Sequence, residues 1–165
     1  MIRARVITCS DSAANGQRED RSGPAVRELL EAHGCSVDPV VVVPDDIQFI
    51  GGAILHAVDA GARLVVTTGG TGVGPRDFTP EATQRVCERI VPGFGELMRA
   101  ASASKTPMAA LSRAQACTRG AALVVNVPGS PRGAVENLSA VLHLIPHALE
   151  LLAGNTEHGT RNTEQ

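Results

Sequence analysis

The sequence contains no tryptophan and no tyrosine, and only 3 of its 165 residues are phenylalanine. Proteins that bind single-stranded nucleic acid stack the bases on aromatic side chains, so this scarcity disfavours that class of protein. The formal net charge is −2, which gives no general electrostatic attraction to nucleic acid or to an anionic membrane. The composition therefore predicts no nucleic-acid partner.

Long hydrophobic runs are also missing. No apolar run approaches the roughly 18 residues that suggest a membrane-spanning helix, so we expect no membrane association. The opening residues, MIRARVITCSD, lack the longer apolar core and the small-residue cleavage site of a signal peptide. We therefore expect a cytoplasmic protein. With 43% hydrophobic and 19% charged residues, the chain should be globular.

The four cysteines, Cys9, Cys35, Cys87 and Cys117, are widely spaced and include no CxxC pair. This spacing disfavours a zinc site, because structural zinc sites usually draw on closely spaced pairs. We expect reduced thiols that are mostly buried.

The sequence alternates apolar, β-branched segments with segments of helical periodicity. The predicted strands are 3–10, 35–44, 63–68 and two within 112–129, joined at Arg119-Gly120, the second being ALVVNV. The predicted helices are 24–34, with Ser22 as its cap, 45–62, about 80–90, about 94–104, and 130–154 with a bend or break near Pro146. This alternation predicts a doubly wound α/β sandwich.

Three predicted loops follow strands and are rich in Gly, Ser, Pro or Asp: 9–23, 69–79 and 127–133. Ligands of open α/β sheets bind beyond the carboxyl ends of the strands. In the second loop, backbone N–H groups can converge on an anion without obstruction by a Cβ atom. Those N–H groups belong to Gly69, Gly70, Thr71 and Gly72. We interpret this glycine loop as a phosphate-binding loop.

Other interpretations of the glycine loop are weaker. GGTGVG partly matches the dinucleotide fingerprint GxGxxG, but its last spacing fails and Pro75 follows at once. The chain has no GK[ST] sequence, so a P-loop is absent. A tight strand-to-helix turn explains one or two glycines, but it explains poorly four glycines within the six positions 69–74.

Asp77 lies beside this anion site, where a carboxylate would repel phosphate unless a cation lay between them. Asp45 follows Pro44 at another strand end. Two such carboxylates can share Mg²⁺, which prefers oxygen ligands and substrate phosphates. Alternatively, Asp45 caps the next helix, and Asp77 caps the turn before Thr79 or forms an exposed pair with Arg76.

TTGGTGVGPRDFTPEAT resembles the signature of the Mog/MoaB family of molybdenum-cofactor biosynthesis, which includes the gephyrin G domain. Further blocks in the same order are similar to that family: SDSAANGQREDRSGPAV, VVPDD, VPGFGELMR, LSRA and VVNVPGSPRGAVENL. The resemblance covers roughly residues 4–153. It implies a mostly parallel three-layer α/β/α sandwich of the molybdopterin-binding type, usually assembled as a homotrimer.

Within the family, the sequence resembles the molybdopterin adenylyltransferases. The resemblance implies transfer of AMP from ATP to the terminal phosphate of molybdopterin, with Mg²⁺ and release of pyrophosphate. The family's catalytic aspartates map onto Asp45 and Asp77, to which we assign metal and ATP positioning. Two alternatives remain open: a non-catalytic pterin-binding protein or scaffold in the same pathway, and a different nucleotide-hydrolysing enzyme.

The remaining site predictions concern phosphate and ring recognition. Arg76, Arg113 and Arg132 are either phosphate ligands or solvated surface residues. Without large aromatic side chains, pterin and adenine edges must be read by backbone and short polar groups. The predicted substrate-binding residues are Ser10, Asp11, Gly69, Gly70, Thr71, Gly72, Arg76, Ser112, Pro128, Gly129 and Ser130.

Three further expectations concern the helices and the chain end. His143 and His147 have a metal-binding i, i+4 spacing, but Pro146 disturbs it and an ordinary surface pair is favoured. Glu96 and Arg99 either form a surface pair or line the pocket. We expect residues 1–153 to be one domain and residues 154–165 to be a polar, disordered tail.

Overall fold

A computed structural model describes residues 1–155 of the chain. Within them the strands are β1 (Arg3–Cys9), β2 (Ser36–Val37), β3 (Val41–Val43), β4 (Leu64–Thr68), β5 (Arg89–Ile90), β6 (Ala116–Arg119) and β7 (Ala122–Val127). The α-helices are α1 (Asp11–Ala14), α2 (Ser22–Ala32), α3 (Ile47–Asp59), α4 (Thr79–Val86), α5 (Pro92–Ala103), α6 (Pro131–Val141) and α7 (Ile145–Leu152). Short 3₁₀ helices span Pro107–Leu111 and Leu142–Leu144.

The strands form one mixed sheet in the order β2-β1-β4-β7-β6-β5, and β3 also pairs with β1. The pairings among β1, β2, β3, β4 and β7 are parallel, whereas β6 pairs antiparallel with both β7 and β5. The register aligns Thr8 with Thr68 and Thr68 with Val127. The carboxyl ends of β1, β4 and β7 therefore meet at one edge, as the sequence predicts.

Helices cover both faces of this sheet. On one face, buried residues of α2, α5, α6 and α7, such as Leu30, Met98 and Leu138, pack on alternate strand residues including Val66. On the other face, α3 and α4 pack on the intervening strand residues, including Val65. Burying each such aliphatic side chain contributes about 1.5–3 kcal/mol. The predicted three-layer, mostly parallel α/β/α sandwich is confirmed.

Short polar residues start two of the helices at the carboxyl edge. The Asp46 carboxylate accepts hydrogen bonds from the N–H groups of Gln48 and Phe49 and caps α3. Ser130 Oγ accepts from Gly133 N and caps α6, whose first residue is Pro131. These caps fix where each chain segment leaves the sheet edge.

Several predicted boundaries were wrong. The segment 35–44 forms two short strands rather than one, because Asp38-Pro39 interrupts the pairing with β1. The loop 11–23 contains the short helix α1. Ser22 is the first residue of α2 and not its cap, and its Oγ lies 2.8 Å from Thr68 Oγ1.

The predicted helix near 80–90 ends at Val86, and the chain continues into β5. The predicted helix 130–154 is divided by a 3₁₀ helix, and Pro146 lies in the first turn of α7, where it costs no hydrogen bond. His143 lies in that 3₁₀ helix and His147 in α7, so they do not share one continuous α-helix.

Two cysteines differ from the expectation. Cys87, at the end of α4, is joined to Cys117 of β6 by a disulfide, whereas reduced thiols were expected. Cys9 is buried and free, as expected, and Cys35 is free and partly buried.

None of the helices in residues 1–155 is both long and apolar enough to cross a lipid bilayer. The predicted tail, 154–165, lies outside the described residues from position 156 onward.

Candidate functional site

A cleft of about 480 Å³ opens at the carboxyl ends of β1, β4 and β7. It is lined by residues of the three predicted ligand loops together with Asp45. Its lining is Thr8, Cys9, Ser10, Ala13, Arg18, Glu19, Asp20, Arg21, Ser22, Asp45, Thr68, Gly69, Gly70, Asp77, Gly129, Ser130 and Pro131. We call it the acidic cleft, because Asp45 and Asp77 both line it.

The glycine loop turns away from β4 through a backbone that favours glycine. Gly69 has φ of 90° and Gly70 has φ of 67°, both in the left-handed region. A Cβ atom on Gly70 would also meet Thr79 Oγ1, and one on Gly69 would meet the Cys9 carbonyl oxygen. Glycine is therefore needed at both positions for conformation and for space.

The amides of the glycine loop are not all available to a ligand. Gly69 N donates to Val127 O at 3.0 Å, which ties the loop to β7. Within residues 1–155, the N–H groups of Gly70, Thr71 and Gly72 have no protein acceptor. The predicted anion cradle is thus reduced to these three donors.

Both predicted catalytic carboxylates lie against the glycine loop. Asp77 Oδ2 accepts a hydrogen bond from Gly74 N at 2.8 Å and lies 2.9 Å from the Cβ positions of Gly72 and Gly74. Asp45 Oδ1 lies 3.3 Å from the Cβ position of Gly70. The loop therefore leaves room for two carboxylates that a chain of larger residues would exclude.

Asp45 is held by Asp11 and Arg76 rather than serving as a helix cap, since Asp46 caps α3. Asp11 N donates to Asp45 Oδ2 at 3.0 Å, and Asp45 N donates to Asp11 Oδ1 at 2.9 Å. Arg76 Nε donates to Asp11 Oδ2 at 2.6 Å, and Arg76 Nη2 donates to the Asp45 carbonyl oxygen at 3.0 Å. Asp11 and Arg76 thus contact the backbone of Asp45 and hold it in place, without lining the acidic cleft themselves.

The two linked aspartates have opposite pKa shifts. Burial, reinforced by the charges of Asp11 and Asp77, raises the pKa of Asp45 above its usual value. The hydrogen bond from Arg76 lowers the pKa of Asp11, with help from the backbone contact to Asp45. Negative charge at Asp45 is therefore disfavoured until a cation offsets it.

The donor set fits a hard divalent cation such as Mg²⁺. Asp45 Oδ1 is buried and has no hydrogen-bond partner among the described residues. Burial raises the pKa of the neighbouring Cys9 thiol to about 12, so this sulfur stays protonated and is no competing ligand. Residues 1–155 contain no cluster of three or more His, Cys, Asp or Glu suited to a metal. Two carboxylates alone suit Mg²⁺, which takes its other ligands from water and substrate phosphates.

The remaining predicted site residues lie in a second cleft of about 380 Å³ on the other side of the glycine loop. Thr71, Gly72, Ser112 and Pro128 line it, and Ser130 lines both clefts. Its wall includes exposed Val73, Met108 and Leu111, so we call it the aliphatic cleft. The structure therefore divides nine of the eleven predicted substrate-binding residues between two adjoining clefts, whereas Asp11 and Arg76 line neither.

Two helix N-termini face the acidic cleft. Ser22 begins α2, and Ser130 and Pro131 begin α6, each a helix of 11 residues. Helix N-termini carry partial positive charge, which favours phosphate oxygens close to them.

Sequence reasoning missed a buried polar chain beneath the glycine loop. Asn126 Nδ2 donates to Thr67 Oγ1 at 2.8 Å and to Thr83 Oγ1 at 3.0 Å, and Thr83 Oγ1 donates to the Thr79 carbonyl oxygen. These groups link β4 and β7 to the start of α4. A single polar residue in the apolar run ALVVNV was the available signal.

The arginine predictions have different outcomes. Arg76 is paired with Asp11, and Arg113 is paired with Glu81, so both guanidinium groups already have carboxylate partners. Arg18 and Arg21, which were not predicted, line the acidic cleft. Arg132 lines neither cleft among the residues described. Arg99 lines the aliphatic cleft and donates to the carbonyl oxygens of Ser112 and Ala114.

Comparisons with known proteins agree with this geometry. A family model described as "Probable molybdopterin binding domain" matches residues 5–147. The chain is 42% identical over 159 residues to a molybdopterin adenylyltransferase of Helicobacter pylori, covering 93% of this chain and 89% of that protein. It is 37% identical to gephyrin of Dictyostelium discoideum over 157 residues, 89% of this chain but 22% of gephyrin. The crystal structure of the molybdopterin biosynthesis enzyme MoaB from Thermus thermophilus superposes with a TM-score of 0.87 at 47% identity, covering 93% of this chain and 98% of that one.

Proposed function

This chain belongs to the molybdopterin-binding domain family, and from that premise we propose that it adenylylates molybdopterin. In this reaction the terminal phosphate of molybdopterin attacks the α-phosphorus of ATP, adenylyl-molybdopterin forms, and pyrophosphate leaves. The observation that carries the proposal is that Asp45 and Asp77 line one cleft with the glycine loop and two helix N-termini.

The reaction does not require a strong general base. A phosphate monoester loses its second proton near pH 6, so it is already a nucleophile at neutral pH. The barrier arises from bringing two anions together and from stabilising the charge on pyrophosphate, which makes positioning and electrostatics dominant. The thiol of Cys9, at the end of β1 and beside Asp45, stays protonated and takes no part in the proposed reaction.

Asp45 and Asp77 are the residues that would hold Mg²⁺, which supplies charge neutralisation between the phosphates when bound. The two carboxylates would keep the cation in the acidic cleft. The free N–H groups of Gly70, Thr71 and Gly72, with the N-termini of α2 and α6, supply donors for phosphate oxygens. No side chain in this set needs to accept a proton.

The two clefts suit the two kinds of chemical group in the substrates. The acidic cleft has the charges and donors that phosphates and their cation need. The aliphatic cleft, with Val73, Met108 and Leu111 in its wall and Thr71, Ser112 and Ser130 as polar groups, suits a flat heterocycle. Ser130 lies where the two clefts adjoin, so a substrate spanning both would pass it.

The test is a product assay with purified protein, molybdopterin, ATP and MgCl₂, in which adenylyl-molybdopterin is identified by mass and pyrophosphate is quantified. We expect both products in equal amounts, and none when Mg²⁺ is chelated. Pterin binding without product would support the non-catalytic alternative. Nucleotide hydrolysis that needs no pterin would indicate a different enzyme, and either result would reject the proposal.

Assembly and location are parts of the same proposal. We infer a homotrimer from the family resemblance, and light scattering of the purified chain would measure it. Cytoplasmic residence fits a protein that consumes ATP, and fractionation of expressing cells would test it.

A further inference from the structure

Arg113 makes a set of contacts that join the glycine loop to α4. Its Nε donates to the Gly72 carbonyl oxygen at 2.7 Å, and its Nη2 donates to the Asp77 carbonyl oxygen at 2.8 Å. Its Nη1 donates to both carboxylate oxygens of Glu81, at 2.6 and 2.8 Å. The Arg113 backbone N–H also donates to the Thr71 carbonyl oxygen at 2.7 Å. Arg113 thus contacts the glycine loop at Thr71, Gly72 and Asp77.

We propose that Arg113 is a positioning residue that fixes the glycine loop and, through the backbone of Asp77, the second carboxylate of the acidic cleft. This inference rests on the proposed function for its kinetic consequences. It replaces the sequence-based hypothesis that Arg113 is a phosphate ligand. All three guanidinium nitrogens already donate to protein acceptors, and among the described residues Arg113 is not one that lines the acidic cleft.

The glycine loop needs such a residue because its own composition does not fix it. Glycine has the largest conformational freedom of any residue, and the loop must hold three free N–H groups and Asp77 in one arrangement. Gly74 N fixes the Asp77 carboxylate, but Gly74 belongs to the same loop. Val127 holds Gly69 and Asp11 holds Arg76 from outside the loop, but Arg113, itself fixed by Glu81, is the outside residue that binds the carbonyl oxygens of Gly72 and Asp77.

A lysine cannot reproduce these contacts. The planar guanidinium presents donors in fixed directions to three separate acceptors, whereas an ammonium is a compact point charge. The positive charge is kept in Arg113→Lys, so this variant separates geometry from charge. Arg63 provides a matched control, because it donates to the carbonyl oxygens of Ala121 and Leu149 at the opposite edge of the sheet.

The kinetic experiment compares wild type, Arg113→Lys and Arg63→Lys in the product assay. For Arg113→Lys we expect kcat to fall about 30-fold or more, while KM for ATP and for molybdopterin changes less than about threefold. Arg63→Lys should keep a kcat close to that of wild type. A phosphate ligand would instead raise KM for ATP with little change in kcat, and that result would overturn the proposal.

Chemical rescue is the second readout, because a small cation would not restore activity to a variant that had failed to fold. Arg113→Ala should recover activity by about tenfold in methylguanidinium and not in methylammonium, since only the former restores the planar donors. Equal rescue by both cations would overturn the proposal in favour of a simple charge effect.

Hydrogen exchange tests positioning without the reaction. Peptides covering 69–78 should exchange about fivefold faster in Arg113→Lys and at the wild-type rate in Arg63→Lys. If wild type forms no product, the proposed function fails, and faster exchange still supports positioning. Unchanged exchange in Arg113→Lys contradicts the positioning role whatever the activity.

Discussion

At the amino-terminal edge of the sheet, Arg63 donates to the carbonyl oxygens of Ala121 and Leu149, and Arg3 donates to that of Ala60. At the carboxyl edge, Arg76 and Arg113 also donate to carbonyl oxygens, and each binds a carboxylate, as Arg3 binds that of Asp38 at the amino-terminal edge. Arginine ties neighbouring segments together at both edges. At the carboxyl edge, the segments so joined carry the free N–H groups of Gly70, Thr71 and Gly72 and the buried, unpaired Oδ1 of Asp45, as far as the described residues show.

Six buried side-chain polar atoms have no hydrogen-bond partner among the described residues. Three of them, Asp45 Oδ1, Thr79 Oγ1 and Asn126 Oδ1, lie together at or beneath the glycine loop, whereas Arg5 Nε, Thr118 Oγ1 and Glu136 Oε1 lie elsewhere. A buried polar atom without a partner costs about 1–3 kcal/mol. Such a cost is tolerated where a ligand is to be bound. At the carboxyl edge, therefore, the groups that we propose for ligand binding lower the stability of the unliganded protein.

The sharpest test of this contrast exchanges one carboxylate at each edge for an amide. Asp77→Asn should lower product formation at least about 100-fold, because a neutral amide holds Mg²⁺ and its phosphates poorly. Asp38→Asn, whose carboxylate pairs with Arg3 and Arg5 outside the acidic cleft, should keep near wild-type activity. Pyrophosphate release measures both.

Asp77→Asn should remain folded, with circular dichroism and a melting temperature close to those of wild type, since the Asn oxygen still accepts from Gly74 N. Full activity in this variant would contradict the assignment of Asp77. Equal losses in both variants would show that the two edges do not differ.

Glycine substitutions make a finer comparison of the two edges. Gly70→Ala places a Cβ at φ of 67° against Thr79 Oγ1 and Asp45, and should cost about 1–3 kcal/mol of unfolding free energy with at least about a tenfold loss of kcat. Gly61→Ala at the opposite edge has φ of 101°, and its Cβ meets only the end of the Arg3 side chain.

Denaturant unfolding and kcat, measured on both glycine variants, separate strain from function. We expect comparable losses of stability but a loss of kcat in Gly70→Ala alone. Retention of kcat in Gly70→Ala would show that the conformation of the glycine loop does not matter to the reaction.

Much of this architecture could be predicted from the sequence, because apolar periodicity and the strand-end rule are properties of local sequence. The strand 63–68 and the loop after it were predicted from residues that lie within a few positions of one another. The role of Asp45 and Asp77 was predicted from their positions at strand ends and from the family resemblance, and it stays a prediction. The sequence could not show that Asp46, and not Asp45, caps α3. Either aspartate can cap a helix, and the backbone path from β3 into α3 decides which of them does.

Contacts between residues that are distant in the sequence could not be predicted, because they too depend on how the chain folds. Arg113 is 32 positions from Glu81, and Arg76 is 65 positions from Asp11. From the sequence alone, an arginine near a glycine loop can be interpreted as a phosphate ligand or as a structural residue, and only its contacts decide between the two. The split of 35–44 into two strands likewise depended on how Asp38-Pro39 meets β1.

The smallest expected effect compares two aspartates within the carboxyl edge itself. The pKa of Asp45 is raised, so the folded state binds its proton more tightly than the unfolded state does. Its contribution to stability is therefore present in acid and is lost as the pH rises through the folded-state pKa. Asp45→Asn has no such proton to lose, so in chelator its stability relative to wild type should rise as the pH increases above the ordinary aspartate pKa of about 3.9.

Asp11 should behave in the opposite way, because Arg76 lowers its pKa. Its contribution to stability is present above the ordinary aspartate pKa of about 3.9 and is lost as the pH falls through the folded-state value. Asp11→Asn should therefore be less stable than wild type at neutral pH, with a difference that shrinks in acid. Urea unfolding of both variants from about pH 2.5 to 7 gives the two slopes. Slopes of the same sign would mean that Asp11 and Asp45 do not form the oppositely shifted pair from which the metal-binding role of Asp45 is argued.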